Sequence, residues 1–126
     1  MMVAAHSGHR PVLVVEDDGD VRDAVAASLR DEGYVVAEAE NGRLALDWLQ
    51  SNADPCLVLL DLWMPVMTGI ELQALMAQDP RLAAVRLVVV SAAGDARAQA
   101  QQMGAIAFLR KPLDLHDLLA TVEQYC

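Results

Sequence analysis

A three-layer α/β fold, a doubly wound parallel sheet with helices on both faces, is what the sequence predicts, and three observations predict it. Short apolar runs suited to buried strands alternate five times with stretches of helical periodicity, the pattern of successive βα units. A length of 126 residues supplies one core and is too short for two. The hydrophobic share is 55% with only 4% aromatic, so Val, Leu, Ala and Met build the interior, and a disordered chain is excluded.

Strands are expected at residues 12–15, 35–37, 57–60, 87–90 and 105–109, each a run that a parallel sheet would bury on both faces. In the first helix Val21, Ala24, Val25, Ser28 and Leu29 recur at helical spacing, and Gly33 supplies a stop. Leu44, Ala45, Trp48 and Leu49 mark the second. The third opens at Thr68 with Glu71 three residues on, a capping-box pattern, and Pro80 helps to end it. The fourth, near residues 95–103, is mostly Ala and Gln with no large aliphatic residue before Met103, so it should pack most weakly and move most. The fifth spans about residues 114–123, with Leu115, Leu118, Leu119 and Val122 as its inward stripe. Residues 11–126 then form one domain behind a short flexible tail, residues 1–10, without linker or internal repeat.

Several function classes fall away. The apolar runs are far shorter than the roughly 18 residues a membrane-spanning helix needs. Residues 1–10 lack the apolar segment and cleavage site of a secretory signal, so a cytoplasmic location is expected. Cys56 and Cys126 show neither a disulfide framework nor metal-ligand spacing, and the expectation is one packed thiol and one frayed end. A formal net charge of −9 argues against binding a phosphate backbone, which requires clustered Lys and Arg. Such acidity suits a cation.

Polar residues follow the apolar runs at the strand ends, where an open parallel sheet forms its ligand crevice. Glu16, Asp17 and Asp18 follow the first strand, Asp61 the third, Ser91 the fourth, and Arg110 and Lys111 the fifth. Each has an ordinary structural reading alone. Asp18 or Asp20 caps the first helix, Asp61 faces water at a strand end, Ser91 begins a turn, and Lys111 is a solvated cation. Their joint occurrence points elsewhere, because carboxylates crowded on one sheet edge repel unless a cation neutralises them. Oxygen donors select Mg²⁺, Mn²⁺ or Ca²⁺.

Over essentially its whole length the sequence resembles the response regulator receiver family, through Val14-Val15-Glu16-Asp17-Asp18, Leu60-Asp61-Leu62-Trp63-Met64-Pro65 with Gly69, Val90-Ser91-Ala92 and Lys111-Pro112. The resemblance implies a flavodoxin-like five-stranded sheet in the order 2-1-3-4-5. It implies a phospho-accepting switch in two-component signalling rather than an enzyme acting on an external substrate. Asp61 would be the phosphoryl acceptor. Asp17, Asp61 and the Trp63 backbone carbonyl would hold Mg²⁺ (or Mn²⁺), with Glu16 joining directly or through water. Ser91 would bond the phosphoryl group and Lys111 would pair with it, the peptide before Pro112 being cis. Phe108 stands where the family places its switch aromatic, so the fourth helix, fifth strand and fifth helix would form the responsive face; as a lone Phe near a strand end it also reads as plain core. The implied partners are a sensor histidine kinase or phosphotransfer protein, and an effector, output domain or second receiver. The state would be a monomer or a phosphorylation-dependent dimer.

Two other readings use the same residues. A small aspartyl-phosphate phosphohydrolase needs a second acid two residues after its nucleophile, and Trp63 occupies that position. A receiver-like interaction domain without phosphorylation would have lost acceptor-site residue types, yet all are present. A nucleotide- or flavin-binding module of similar fold is disfavoured because neither glycine-rich phosphate loop occurs.

Overall fold

A computed structural model describes residues 10–126, so the expected tail lies outside the described residues except for Arg10. The elements in order are β1 (Val12–Val15), α1 (Gly19–Asp31), β2 (Val36–Ala39), α2 (Gly42–Ser51), β3 (Leu57–Asp61), α3 (Gly69–Ala77), α4 (Pro80–Ala83), β4 (Leu87–Ser91), α5 (Ala96–Gln102), β5 (Ala107–Arg110) and α6 (Leu115–Tyr125). The strands are all parallel, in the order β2-β1-β3-β4-β5, as the resemblance implied.

Strand alternation divides the core. Leu13, Val15, Val58, Leu60 and Val89 point into one cluster with residues of α2, α3, α4 and α5. Val12, Val14, Leu57, Leu59 and Val88 point into the other, against Val25 and Leu29 of α1 and Leu118 and Val122 of α6. Both faces of the sheet are therefore covered. The same parity governs the strand ends. Glu16, Asp61 and Lys111 continue the alternation of the α1/α6 side, whereas Ser91, Phe108 and Arg110 continue that of the α5 side.

Local chemistry sets the helix boundaries. Asp18 caps α1, its carboxylate accepting from the backbone N–H groups of Asp20 and Val21. Thr68 caps α3 in a complete capping box with Glu71. Asp114 caps α6. The segment expected to pack most weakly is α5, whose buried residues are only Ala96 and Ala100 and whose first turn has no side-chain cap.

Four expectations need correction. Pro80 does more than follow α3: it takes the first position of the short α4, where its missing N–H is unneeded and Asp79 supplies the cap. Leu115 is 50% exposed and does not join the inward stripe, because it opens α6 one turn before the helix settles on Leu118 and Val122. β2 and β5 start one and two residues later than expected and run on to Ala39 and Arg110. Cys56 and Cys126 are not a packed thiol and a frayed end but form a disulfide, with Cα atoms 5.3 Å apart. The bridge ties the end of α6 to the start of β3. No helix among the described residues is long and apolar enough to cross a membrane.

Candidate functional site

The site lies at the carboxyl ends of β1, β3 and β5. Glu16 and Asp61 are buried, at 5% and 6% exposure, while Asp17 beside them is open to solvent. Each of the three offers a carboxylate oxygen within 4.8 Å of the others. Lys111 reaches in from the loop after β5, its Nζ 2.6 Å from Glu16 Oε1 and 3.2 Å from Asp61 Oδ2. Burial alone would lower the Lys111 pKa. The hydrogen bond to Glu16 and the charge of Asp61 outweigh it, so the ammonium is held above the usual lysine range.

Backbone and neighbouring groups fix these side chains. The Asp18 N–H donates to Glu16 Oε2 at 3.1 Å, and Arg22 donates to the Glu16 carbonyl at 2.8 Å. The Trp63 N–H donates to Asp61 Oδ1 at 3.3 Å, and Trp63 itself is half exposed. Gly69 packs its backbone against that of Asp61 and Leu62, and its N–H donates to the Leu62 carbonyl at 2.9 Å. A side chain has no room there. The Lys111–Pro112 peptide is cis.

Ser91 is buried at the end of β4, one residue past Val90, which pairs with Asp61. Its hydroxyl accepts from the Ala93 N–H at 3.2 Å, while its carbonyl accepts from the Lys111 N–H at 3.1 Å. The structure thus gathers Glu16, Asp17, Asp61 and Lys111 into one cluster and sets Ser91 on the adjacent strand end. Phe108, the register partner of Val89, packs partly against the α5-side core, away from the carboxylates.

Arg22 was missed by the sequence reading, although a cation on the first turn of α1, close behind three acids, was a usable signal. It also pairs with Glu38 on β2 at 3.5 Å. Gly69 was noticed only as part of a motif, and its steric role appears only once α3 is packed beneath β3.

The family described as "Response regulator receiver domain" matches residues 12–123. This chain belongs to that family. The receiver domain is 37% identical over 118 residues to an uncharacterised 14.6 kDa protein of Leptolyngbya boryana, covering 91% of this chain and 88% of that one. Chemotaxis protein CheY4 of Vibrio cholerae superposes with a TM-score of 0.84 at 28% identity, covering 94% of this chain and all of that one. Response regulator TrrA of Thermotoga maritima, solved in complex with Mg²⁺-BeF, gives a TM-score of 0.82 at 25% identity, covering 94% of this chain and 100% of that one. Other curated relatives are transcriptional regulators, and this receiver domain spans about half the length of several of them. The chain is a response regulator receiver domain of two-component signalling, with an acidic pocket whose composition is compatible with Mg²⁺.

Proposed function

We propose that Asp61 accepts a phosphoryl group from the phosphohistidine of a sensor kinase or phosphotransfer protein, in a step that requires Mg²⁺. One observation carries the proposal: three carboxylates within 4.8 Å of one another meet a single ammonium. Three negative charges against one positive charge leave two uncompensated, which a divalent cation matches in charge and in its preference for oxygen donors. Asp17 and Asp61 would hold the ion with the Trp63 carbonyl, and Glu16 would join directly or through water; Mn²⁺ would serve in its place. When bound, such an ion screens charge on the transferred oxygens.

The chain's own groups do the rest. An Asp61 carboxylate oxygen bonds to phosphorus as the phosphorus–nitrogen bond of the donor breaks, and the imidazole leaves with that electron pair. Lys111, already poised at Asp61, pairs with the incoming group as a point charge. Hydrolysis reverses the state: water attacks phosphorus, inorganic phosphate leaves and the carboxylate is restored. No external substrate is turned over, so the domain acts as a switch and not as an enzyme.

Phosphorylation replaces one carboxylate charge with a larger group rich in acceptors. Ser91 exchanges its local bond to Ala93 for one to the phosphoryl group, and Phe108, on the same side of the neighbouring strand, moves into the space vacated. The face of α5, β5 and α6 is then remodelled, and the small Ala-based contact of α5 makes that change inexpensive. The protein works in the cytoplasm, as a monomer or a phosphorylation-dependent dimer. Intact-mass measurement after acetyl phosphate treatment tests the reading. A Mg²⁺-dependent adduct on the parent chain, missing from Asp61→Asn, is expected; equal labelling of Asp61→Asn would move the acceptor elsewhere.

A further inference from the structure

The Cys56–Cys126 bridge stands apart from the phosphorylation chemistry, because it lies before the first residue of β3 whereas Asp61 closes the other end of that strand. Its two halves differ in environment. Cys56 is 8% exposed and belongs to the apolar cluster of Val12, Leu57 and Val122, and its N–H donates to the Pro11 carbonyl at 2.9 Å. Cys126 is exposed at the end of α6, its N–H donating to the Val122 carbonyl at 2.8 Å. Of the two sulfurs, that of Cys126 is the one open to attack from solution.

Two other ties hold this turn of α6. Tyr125 packs partly against the same cluster, and its carbonyl accepts from the exposed Arg86 guanidinium at 2.6 Å. An exposed bond of this kind contributes little net stability. Once the bridge opens, the turn after Val122 loses its covalent anchor and frays as a free helix end does.

Disulfides are rare in the reducing cytoplasm, and those that form there are usually transient, with redox-sensing or catalytic roles; exposed ones exchange most readily. We propose that Cys56–Cys126 is a second modification site, a reversible thiol latch on the end of α6 that a protein dithiol opens and closes. The proposal rests on the proposed function only for the compartment. In opening, a thiolate of the dithiol attacks Cys126 Sγ to form a mixed disulfide, and Cys56 Sγ leaves with the electron pair of the broken S–S bond and takes a proton. The second thiolate of the dithiol then attacks the dithiol's own sulfur in that mixed disulfide, and Cys126 Sγ leaves and is protonated. Two electrons and two protons pass to the chain, and the dithiol ends as a disulfide. Closing is the same exchange run backwards.

The test equilibrates the full chain with mixtures of reduced and oxidised thioredoxin, quenches with acid, alkylates in denaturant and counts free thiols by intact mass. Half-opening at a reduced-to-oxidised ratio between about 1:100 and about 100:1 is expected. A bridge still closed at the reducing extreme would be a permanent fastening, and one already open at the oxidising extreme would have no closed state to leave; either result overturns the proposal. Hydrogen exchange reads the latch itself. Amides of residues 122–126 should exchange roughly tenfold faster or more in the reduced chain than in the oxidised chain, and Cys126→Ser without reductant should match the reduced chain. Equal exchange in the two redox states, or Cys126→Ser exchanging like the oxidised chain, would also overturn it. Acetyl phosphate labelling of the oxidised chain is run in parallel. Its loss would sink the phosphorylation reading and leave the thiol result standing, while normal labelling beside a bridge that never opens would sink only the latch.

Discussion

Replacing Gly69 with Ala tests whether the segment after Asp61 is shaped by close backbone contact. A Cβ at position 69 would fall inside van der Waals contact of the Asp61 carbonyl oxygen, 3.0 Å from Leu62 Cα and 3.1 Å from Leu60 Cγ. The first two are main-chain atoms of Asp61 and Leu62, so relief requires moving Asp61 itself. Overpacking of this kind costs about 1–3 kcal/mol, and the lower chain entropy of Ala returns roughly 0.5–1 kcal/mol. The difference runs from about 0 to 2.5 kcal/mol, and because two of the three contacts are main-chain atoms that cannot swing aside, its upper part, about 1–2 kcal/mol, is expected, equivalent to a fall in Tm of roughly 4–8 °C for a domain this size. Gly94→Ala is the control, because nothing lies within 4 Å of a Cβ there. Urea unfolding followed by tryptophan fluorescence should separate the two variants at an unchanged m-value. The Gly69 variant should also take phosphate from acetyl phosphate more slowly. Stability of Gly69→Ala within 0.5 kcal/mol of the parent, measured on the scale of ordinary surface changes, would refute the steric argument.

Other perturbations reach different parts of the account. Lys111→Met leaves Glu16 and Asp61 without their shared cation, so stability in chelator should fall by about 1–3 kcal/mol, the cost of buried groups left without a partner, and Mg²⁺ should stabilise the variant more than the parent; an equal Mg²⁺ response in both would count against the shared-counterion view. Burial first, then the charges of Glu123 and Glu32, raises the Tyr34 pKa above the usual phenol value. The folded state therefore holds that proton more tightly, and the associated stability is complete below a pH of about 10 and lost as pH rises through the folded pKa. Ultraviolet titration of a Tyr125→Phe chain checks this, and Tyr34 ionising at or below the free-phenol value would contradict it. The Cys56–Cys126 bridge spans 70 residues of sequence, for which loop-closure entropy gives about 4 kcal/mol. Cys126→Ser should lose that amount in denaturant unfolding under oxidising conditions, and an unchanged midpoint would show that the bridge contributes nothing.

The fold was legible because its signals are local and repeated. Strands β1, β3 and β4 open as apolar runs, and the site residues stand at or just past strand ends, so the order of elements brings Glu16, Asp17, Asp61 and Lys111 to one edge without any need to know the packing. What escaped was non-local or ambiguous. Cys56 and Cys126 become neighbours only because α6 runs back to the start of β3, and no spacing rule encodes that. Asp79-Pro80 carries both a helix stop and a helix start, and here the start prevails to make α4. Leu115 fits the periodic stripe of α6 but sits at its first turn, beyond the reach of the sheet. The stacking of Arg97 and Arg110 on Phe108 depends on α5 lying over β5, a contact that neither segment announces alone.

The decisive observation is which side chain carries the phosphoryl group. Borohydride reduces an aspartyl phosphate to homoserine, so the chain, treated with acetyl phosphate and Mg²⁺ and then reduced, can be digested and its peptides sequenced by mass spectrometry. Homoserine at position 61 and nowhere else is the expected result. Homoserine at Asp17 or Asp18, or phosphate retained on Ser91 or His116, would contradict it.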